Sequence, residues 1–308
     1  MSSAPPTSAS PHRATAGSQL MGLLAGMRPH QWTKNAFCFA GVIFSGRFFE
    51  PIYVIDALLT FVAFCFASSA VYLFNDIKDV ELDRLHRTKR DRPLVTGRLL
   101  RSTATVVAIT LMLGAAAVAF LIGWKVVVCV VLYLLLNLLY SVGVKHVALL
   151  DVLFIASGFV LRLLAGIYAV QEIPTSWITL CTFFLALFLG FCKRRSELQG
   201  LGDSGEAPRP VLNEYSLPYL DMLLSSSATI TVICYALFTT AGGKNHTLVL
   251  TVPIVYFAIS HYKRRVLMAG AGQEPDRILL QDRRLQVSIL LWLVLYMAVM
   301  YIPLDLFR

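Results

Sequence analysis

The chain has 308 residues, of which 57% are hydrophobic and 15% charged, and its mean hydropathy is +0.68. This composition lies outside the range of soluble globular domains and indicates an integral membrane protein. The net charge of +9 does not indicate a nucleic-acid partner, because the basic residues are spread over loops that flank apolar segments.

Apolar segments follow one another along most of the chain. They come after a tail at residues 1–18 that is rich in Ser, Ala, Pro and Thr and lacks the apolar core of a signal peptide. We expect this tail to be disordered and residues 19–308 to form one transmembrane domain. The sequence predicts an all-α, polytopic membrane bundle of about nine spans. They are expected at residues 35–49, 52–74, 103–122, 125–142, 148–170, 176–192, 218–240, 247–262 and 285–303.

Most of the 27 lysines and arginines fall in loops on one side of these spans. Because basic residues concentrate in short cytoplasmic loops, we expect a cytoplasmic N-terminus, an outer C-terminus and an active site on the cytoplasmic side of the inner (plasma) membrane. The six cysteines lie in or beside the spans without metal-ligand spacing, and they are interpreted as small core residues.

An acidic segment directly follows the second predicted span. Asp76, Asp79 and Asp83 have the spacing i, i+3 and i+7, which places three carboxylates on one helix face. Such a face repels itself unless a cation binds it, and Mg²⁺ commonly bridges carboxylates to substrate phosphates. The segment therefore predicts a metal-held diphosphate. The alternative is a solvated, charge-mixed loop that flanks the membrane.

Basic residues at other predicted span ends suggest phosphate binding. Lys34 lies where the first span begins, whereas the nearby Arg28 is interpreted as a membrane anchor. Arg162 lies deep within a span, so we expect it to face the protein interior with an acid or a phosphate as its partner. Lys193 and Arg194 end the sixth span, where they can bind a phosphate or simply follow the positive-inside rule.

The loop before the last span is also basic. It contains Lys263, Arg264, Arg265 and Asp282, and we attribute its charge to membrane topology alone.

Asn75, Asp76, Asp79 and Asp83 form the pattern Asn-Asp-x-x-Asp-x-x-x-Asp, and with it the chain resembles the UbiA superfamily of intramembrane prenyltransferases. A typical member has a second acidic motif after span six. This chain instead has Lys193-Arg194-Arg195 followed by Glu197, which is similar to the decaprenyl-phosphate phosphoribosyltransferase branch of the superfamily. The similarity extends over about residues 20 to 303.

The resemblance implies Mg²⁺-dependent transfer of 5-phosphoribosyl from phosphoribosyl pyrophosphate to a polyprenyl (decaprenyl) phosphate, for synthesis of a cell-envelope arabinose donor. Asp76, Asp79 and Asp83 would hold the Mg²⁺. One acidic and several basic clusters suit a donor with a diphosphate and a 5-phosphate, and an acceptor with a further phosphate. The expected substrate-binding residues near the metal are Lys34, Asn75, Lys89, Arg90 and Arg92. Those expected around the ribosyl donor or the lipid phosphate are Tyr140, Lys145, Asp151, Arg162, Lys193, Arg194 and Glu197, with Tyr140 and Lys145 among the catalytic groups.

Two other functions remain open at this point. An ordinary prenyltransferase would use Mg²⁺ to activate a prenyl diphosphate for attack by an aromatic acceptor, and the missing second acidic motif counts against it. A transporter or lipid-phosphate carrier could use the same basic clusters, but no inverted repeat is evident. Small residues in many spans leave a homo-oligomer possible.

Overall fold

The computed structural model describes residues 16–85, 89–200, 210–242, 245–269, 278, 281–302 and 306. Across these residues the chain is helical and contains no β-strand. Helices are the expected solution for a chain that crosses a membrane, because a helix satisfies its backbone N–H and C=O groups internally.

The helices follow one another with short connections. In chain order they are α1 (Ala16–Met27), α2 (Ala40–Ser45), α3 (Pro51–Lys78), α4 (Val80–Leu85), α5 (Arg101–Ile122), α6 (Trp124–Val142), α7 (Leu150–Ala169), α8 (Ser176–Gln199), α9 (Leu217–Ala241), α10 (Val252–Ala269) and α11 (Arg283–Tyr301). Within the described ranges, four 3₁₀ helices lie between them, at Pro29–Phe39, Val144–His146, Pro210–Glu214 and His246–Thr251. The predicted tail boundary at residue 18 lies inside the first turn of α1, and residues 1–15 are outside the described part.

Seven of the described helices are long and apolar enough to cross a membrane: α3, α5, α6, α7, α8, α9 and α11. They coincide with seven of the nine predicted spans. The remaining two, at residues 35–49 and 247–262, fall on 3₁₀ helices joined to α2 and α10. The first segment is divided between a 3₁₀ helix and the six-residue α2, and α10 contains three successive cations, Lys263, Arg264 and Arg265. Nine spans therefore stay a prediction.

Internal contacts divide the chain into two units. One contains residues 1–32 and 65–114, and the other contains residues 33–64 and 115–308. Helix α3 contributes its first half to the second unit and its second half to the first.

The first unit encloses a small apolar core. Leu73 of α3, Val80 of α4 and Ala104 of α5 are buried together with Leu94 and Leu99 of the connecting segment. Leu23 and Met27 of α1 pack against this cluster. The core thus holds α1 and the 89–100 segment against the end of α3, where the acidic motif lies.

In the second unit, glycines let backbones approach closely. A Cβ atom on Gly41 would overlap the carbonyl of Gly166, and one on Gly166 would overlap the carbonyl of Cys38. A Cβ on Gly190 of α8 would overlap the side chain of Val152 on α7. Small residues at helix interfaces are the usual means of close packing in membrane proteins. These contacts seat the 3₁₀ helix Pro29–Phe39, α2 and α8 directly on α7.

Side-chain N-caps lie at the starts of three of the helices, α8, α9 and α11. Thr175 accepts a hydrogen bond from the N–H of Ile178 at α8, and Ser216 accepts one from Tyr219 at α9. Asp282 accepts from the N–H groups of Arg284 and Leu285 at α11. Each cap satisfies a donor that the first helical turn leaves without an intrahelical partner.

Candidate active site

The acidic motif lies at the junction between α3 and α4. Asp76 is buried near the end of α3, Asp79 occupies the break between the helices, and Asp83 is buried on α4. The N–H of Asp79 donates to the carbonyl of Asn75 at 2.9 Å, and that of Asp83 donates to the carbonyl of Asp79 at 2.8 Å. These i to i+4 bonds carry the helical hydrogen-bonding pattern across the break.

Arginines occupy the space between the carboxylates of the motif. Arg92 donates from Nη1 to Asp76 Oδ1 at 3.0 Å and to Asp83 Oδ2 at 2.5 Å. Arg28 donates from Nη2 to the same oxygen of Asp76 at 2.6 Å, and Lys89 Nζ lies 4.0 Å from Asp83 Oδ1. One guanidinium nitrogen therefore joins two carboxylates that would otherwise repel one another.

Arg28 does more than anchor the chain at the membrane, so that interpretation of the sequence was wrong. Its backbone adopts a positive φ of 53°, which is costly for a residue with a Cβ. The guanidinium lies 4.9 Å above the ring of Tyr72, on the same helix as Asp76. The strained turn between α1 and the next 3₁₀ helix thus delivers a cation to the acidic motif.

The donor set of the motif suits a hard divalent cation, because Mg²⁺ prefers carboxylate oxygens. The structure brings Asp76 and Asp83 together on one arginine nitrogen. Within the described residues, however, no three His, Cys, Asp or Glu side chains come close enough together to hold a metal ion. Three-carboxylate coordination by Asp76, Asp79 and Asp83 stays a prediction. Asn75 and Asp79 are half-buried, and Arg90 is exposed.

A second ion-pair network lies where α7 begins and α8 ends. Arg194 donates from Nε to Asp151 Oδ2 at 2.7 Å and from Nη1 to Glu197 Oε2 at 2.6 Å. Asp151 is fully buried, and Arg194 is 2% exposed. The structure thus brings together three residues that the sequence placed near a substrate phosphate, and it pairs them with one another.

Tyr215 closes this network. Its hydroxyl donates to Asp151 Oδ1 at 3.0 Å and accepts from the N–H of Leu149 at 2.7 Å. Burial, reinforced by the neighbouring charge of Asp151, raises the pKa of Tyr215, so the phenol keeps its proton. Leu149 has a positive φ of 67°, and the bond to Tyr215 helps to hold this strained residue where α7 begins.

Arg162 lies inside the second unit and is 6% exposed. Its Nε donates to Asn35 Oδ1 at 2.7 Å, its Nη1 to the Gly158 carbonyl at 2.9 Å and its Nη2 to the Tyr133 hydroxyl at 3.0 Å. The guanidinium also lies 4.5 Å from the ring centre of Tyr133. No carboxylate contacts Arg162 in the part of the chain that the structure describes. Of the two expected partners, an acid or a phosphate, the acid is therefore not found there.

The remaining predicted residues have intermediate exposure. Lys34 lies in the 3₁₀ helix Pro29–Phe39, Tyr140 near the end of α6, Lys145 in the 3₁₀ helix Val144–His146, and Lys193 in the last turns of α8. Beside them, Arg195 pairs with Asp221 of α9 at 2.5 Å.

Sequence reasoning missed the contacts of Arg28, Tyr133 and Tyr215. Arg28 is a cation shortly before the first predicted span, which marked it as a residue at the membrane surface. Its partner, Asp76, lies 48 residues further along the chain, so the local sequence did not reveal the contact. Tyr215 lies just before α9, where a tyrosine is usually an interfacial anchor, and Tyr133 is one residue within the apolar span α6, so neither carried a local signal.

Long apolar helices with ion-paired carboxylates and arginines at their ends describe a membrane-embedded protein with charged sites at the ends of its spans. The chain belongs to the UbiA prenyltransferase family, whose model matches residues 35–281. It is 35% identical over 292 residues to the decaprenyl-phosphate phosphoribosyltransferase of Corynebacterium glutamicum, with 91% of this chain and 87% of the relative covered. It is 33% identical over 295 residues to the protein of the same name from Mycolicibacterium smegmatis, with 91% and 92% covered.

The fold is also found among solved structures. A UbiA homolog from Archaeoglobus fulgidus bound to GPP and Mg²⁺ has a TM-score of 0.69 and 22% identity to this chain, covering 91% of it and 99% of the homolog. This likeness confirms the all-helical UbiA fold.

Proposed function

We propose that this protein transfers the 5-phosphoribosyl group from phosphoribosyl pyrophosphate to decaprenyl phosphate and releases pyrophosphate. The observation that carries the proposal is the similarity, over about nine-tenths of the chain, to curated relatives that are named for this reaction. Ordinary prenyl transfer is favoured only by membership in the wider family. A role in making the arabinose donor of the cell envelope follows from the same proposal.

The reaction exchanges one bond at C1 of the ribose. The bond from C1 to the pyrophosphate oxygen breaks, pyrophosphate leaves with the electron pair, and an oxygen of the lipid phosphate forms the new bond to C1. The lipid phosphate is already anionic at neutral pH, so it needs no strong general base. Positioning and charge balance then supply most of the catalysis. Attack opposite the leaving group converts the α configuration at C1 to β.

The acidic motif is the proposed binding site for the diphosphate. Asp76, Asp79 and Asp83 would hold Mg²⁺, which when bound neutralises charge on the departing pyrophosphate. Arg92 then becomes available to a phosphate, because its present partners are Asp76 and Asp83. Lys89 and Arg90 follow in the same connecting segment and are proposed to bind the diphosphate with it.

Arg162 supports a separate phosphate position in the second unit. Its charge is buried among an amide oxygen, a backbone carbonyl and a phenol, and two of the five N–H donors of a guanidinium remain for a ligand. A buried cation without an anionic partner is costly. We propose that a substrate phosphate supplies that partner, with Lys34, Tyr140, Lys145 and Lys193 as further groups that orient it.

Asp151, Arg194 and Glu197 are assigned a supporting place in this proposal. Because they pair with one another, they have little charge left for a substrate. They would act by fixing the start of α7, which follows the 3₁₀ helix of Lys145, and the last turns of α8, which carry Lys193. The protein is proposed to lie in the plasma membrane with its N-terminus and active site on the cytoplasmic side, which labelling of single introduced cysteines from either side of the membrane would test.

The test is an assay of purified protein with phosphoribosyl pyrophosphate labelled in the ribose and a panel of polyprenyl phosphates, with and without Mg²⁺. We expect Mg²⁺-dependent transfer of the label into the organic phase. Consumption of a prenyl diphosphate with an aromatic acceptor, and no transfer of the ribose label by folded protein, would overturn the proposal.

Two acidic substitutions in the same segment make a matched pair for that assay. Asp79→Asn should lower the rate on the order of 100-fold, as expected for loss of one charge-stabilising group. Glu81→Gln, two residues away, removes an exposed carboxylate whose described ion-pair partners are the exposed Arg84 and Arg101. It should keep the rate within about twofold.

A further inference from the structure

An open surface cavity of about 400 Å³ lies beside the start of α11 and the last turns of α10, among residues that belong to neither ion-pair network described above. Four arginines line it: Arg264 and Arg265 from α10, and Arg283 and Arg284 from α11. All four are exposed. A guanidinium presents N–H groups in a planar fork that matches phosphate oxygens.

Among the described residues that line the cavity, the one carboxylate, that of Asp282, already has protein partners. Asp282 Oδ1 accepts the N–H groups of Arg284 and Leu285, while Oδ2 contacts His261 Nε2 at 3.0 Å and Arg265 Nε at 3.4 Å. By contrast, Arg264, Arg283 and Arg284 have neither a hydrogen bond nor an ion pair from their side chains among the described residues. The described lining of the cavity therefore has a fixed wall and an excess of positive charge.

Apolar surface begins directly beyond the arginines. Along α11, Val287, Leu290, Leu291 and Val294 are each more than half exposed. On α10, Phe257 is half exposed and stacks on the imidazole of His261, with ring centres 5.8 Å apart. Because α11 is long and apolar enough to span a membrane, its exposed apolar side chains would face the acyl chains of the bilayer.

We infer that this cavity is a binding site for the phosphate headgroup of an anionic bilayer phospholipid, with the acyl chains along the exposed face of α11. Membrane topology alone explains basic residues in this loop, but it does not require four arginines to line one cavity, three of them without a side-chain partner in the described part of the chain. The apolar face next to the cavity favours a lipid over a free anion. The site concerns binding only and does not rest on the proposed transferase reaction.

The test is lipid binding to the full-length protein, measured by native mass spectrometry and by the shift in thermal unfolding. The probes are dioctanoyl phosphatidylglycerol and, with the same chains but no net charge, dioctanoyl phosphatidylcholine. Each cation near an anionic lipid strengthens binding about fivefold. We therefore expect the triple variant R264Q/R283Q/R284Q to bind phosphatidylglycerol roughly 100-fold more weakly and phosphatidylcholine unchanged.

A charge-matched control separates the cavity from general surface charge. The triple variant R84Q/R98Q/R101Q also removes three exposed arginines, but none of them lines the cavity. It should bind phosphatidylglycerol within about threefold of the unchanged protein. An equal loss in both triples would overturn the site.

Two further probes test the source of the phosphate. Inorganic phosphate that binds as tightly as phosphatidylglycerol, or decaprenyl phosphate that binds while phosphatidylglycerol does not, would overturn the assignment to a bilayer phospholipid. If the triple variant fails to fold, the single variants Arg283→Gln and Arg283→Lys take its place, since the glutamine should weaken binding and the lysine should keep most of it.

Discussion

Arg194 donates a 2.7 Å hydrogen bond to Asp151 across the interface of α7 and α8, and both side chains are almost completely buried. A buried ion pair adds little stability over an apolar pair, but the loss of one partner leaves an uncompensated charge. We expect Asp151→Asn to lower the free energy of unfolding by about 3 to 5 kcal/mol. Thermal unfolding in detergent would measure the loss. Glu81→Gln, in an exposed ion pair, should change it by less than about 1 kcal/mol, and equal effects would contradict the structural role of Asp151.

Arg92 holds Asp76 and Asp83 together as a metal ion would. Arg92→Gln removes that cation, so the two buried carboxylates repel each other more strongly. We therefore expect the variant to be less stable without metal and to gain more thermal stability from Mg²⁺ than the unchanged protein does. The gain should approach about 2 to 3 kcal/mol when Mg²⁺ exceeds its dissociation constant roughly 100-fold. A Mg²⁺ response no larger than that of Arg98→Gln, an exposed arginine in the same segment, would argue against a metal at the acidic motif.

Substitution of the buried Arg162 distinguishes a structural role of this cation from a role in substrate binding. Arg162→Met removes the charge and keeps a long side chain, so the protein without substrate should be as stable as before or lose at most about 2 kcal/mol. Affinity for phosphoribosyl pyrophosphate or for decaprenyl phosphate should fall by at least about tenfold, because one charge-assisted contact is lost. Arg162→Lys should retain part of that affinity. Unchanged affinity for both ligands in a strongly destabilised Arg162→Met protein would make the residue structural.

Gly166 has no space for a side chain, because the carbonyl of Cys38 occupies the position of its Cβ. Gly166→Ala should push the 3₁₀ helix Pro29–Phe39 away from α7, at a cost of about 1 to 3 kcal/mol or more. Since that helix carries Asn35, the partner of Arg162, the variant should also lose activity. Gly17→Ala, where nothing lies within 4 Å of the added atom, is the matched control and should leave both properties unchanged.

Asp282 makes stability depend on pH in the acidic range. Burial opposes ionisation, but hydrogen bonds from His261 and from the N–H groups of Leu285 and Arg284 hold the pKa of Asp282 below its ordinary value of 3.8. The charged groups around it are Arg265, Arg264, Arg283 and Arg284. Its contribution to stability is therefore complete above pH 3.8 and is lost as the pH falls through the lower folded-state pKa. Asp282→Asn keeps the helix cap, so its destabilisation should be larger at pH 6 than at pH 3 in thermal unfolding. An equal effect at both values would contradict this.

The sequence predicted residues by their local pattern and missed those that depend on distant partners. Asp76, Asp79 and Asp83 are recognisable because helix spacing alone puts them on one face. Arg28 was misinterpreted because its partner Asp76 lies on another helix. The first predicted span, residues 35–49, also differs from the structure, because hydropathy does not reveal that residues 29–39 form a 3₁₀ helix.

The sequence by itself determined the membrane setting, seven of the apolar helices, the acidic motif and the family, because these follow from composition and from residues close together in the chain. Only the tertiary structure decided which charged side chains pair with one another. It pairs Arg194 with Asp151 and Glu197, joins Asp76 to Asp83 through Arg92, and surrounds Arg162 with neutral groups. The physical reason is that the cost of a charge depends on burial and on the partner within a few ångströms, and packing alone determines both.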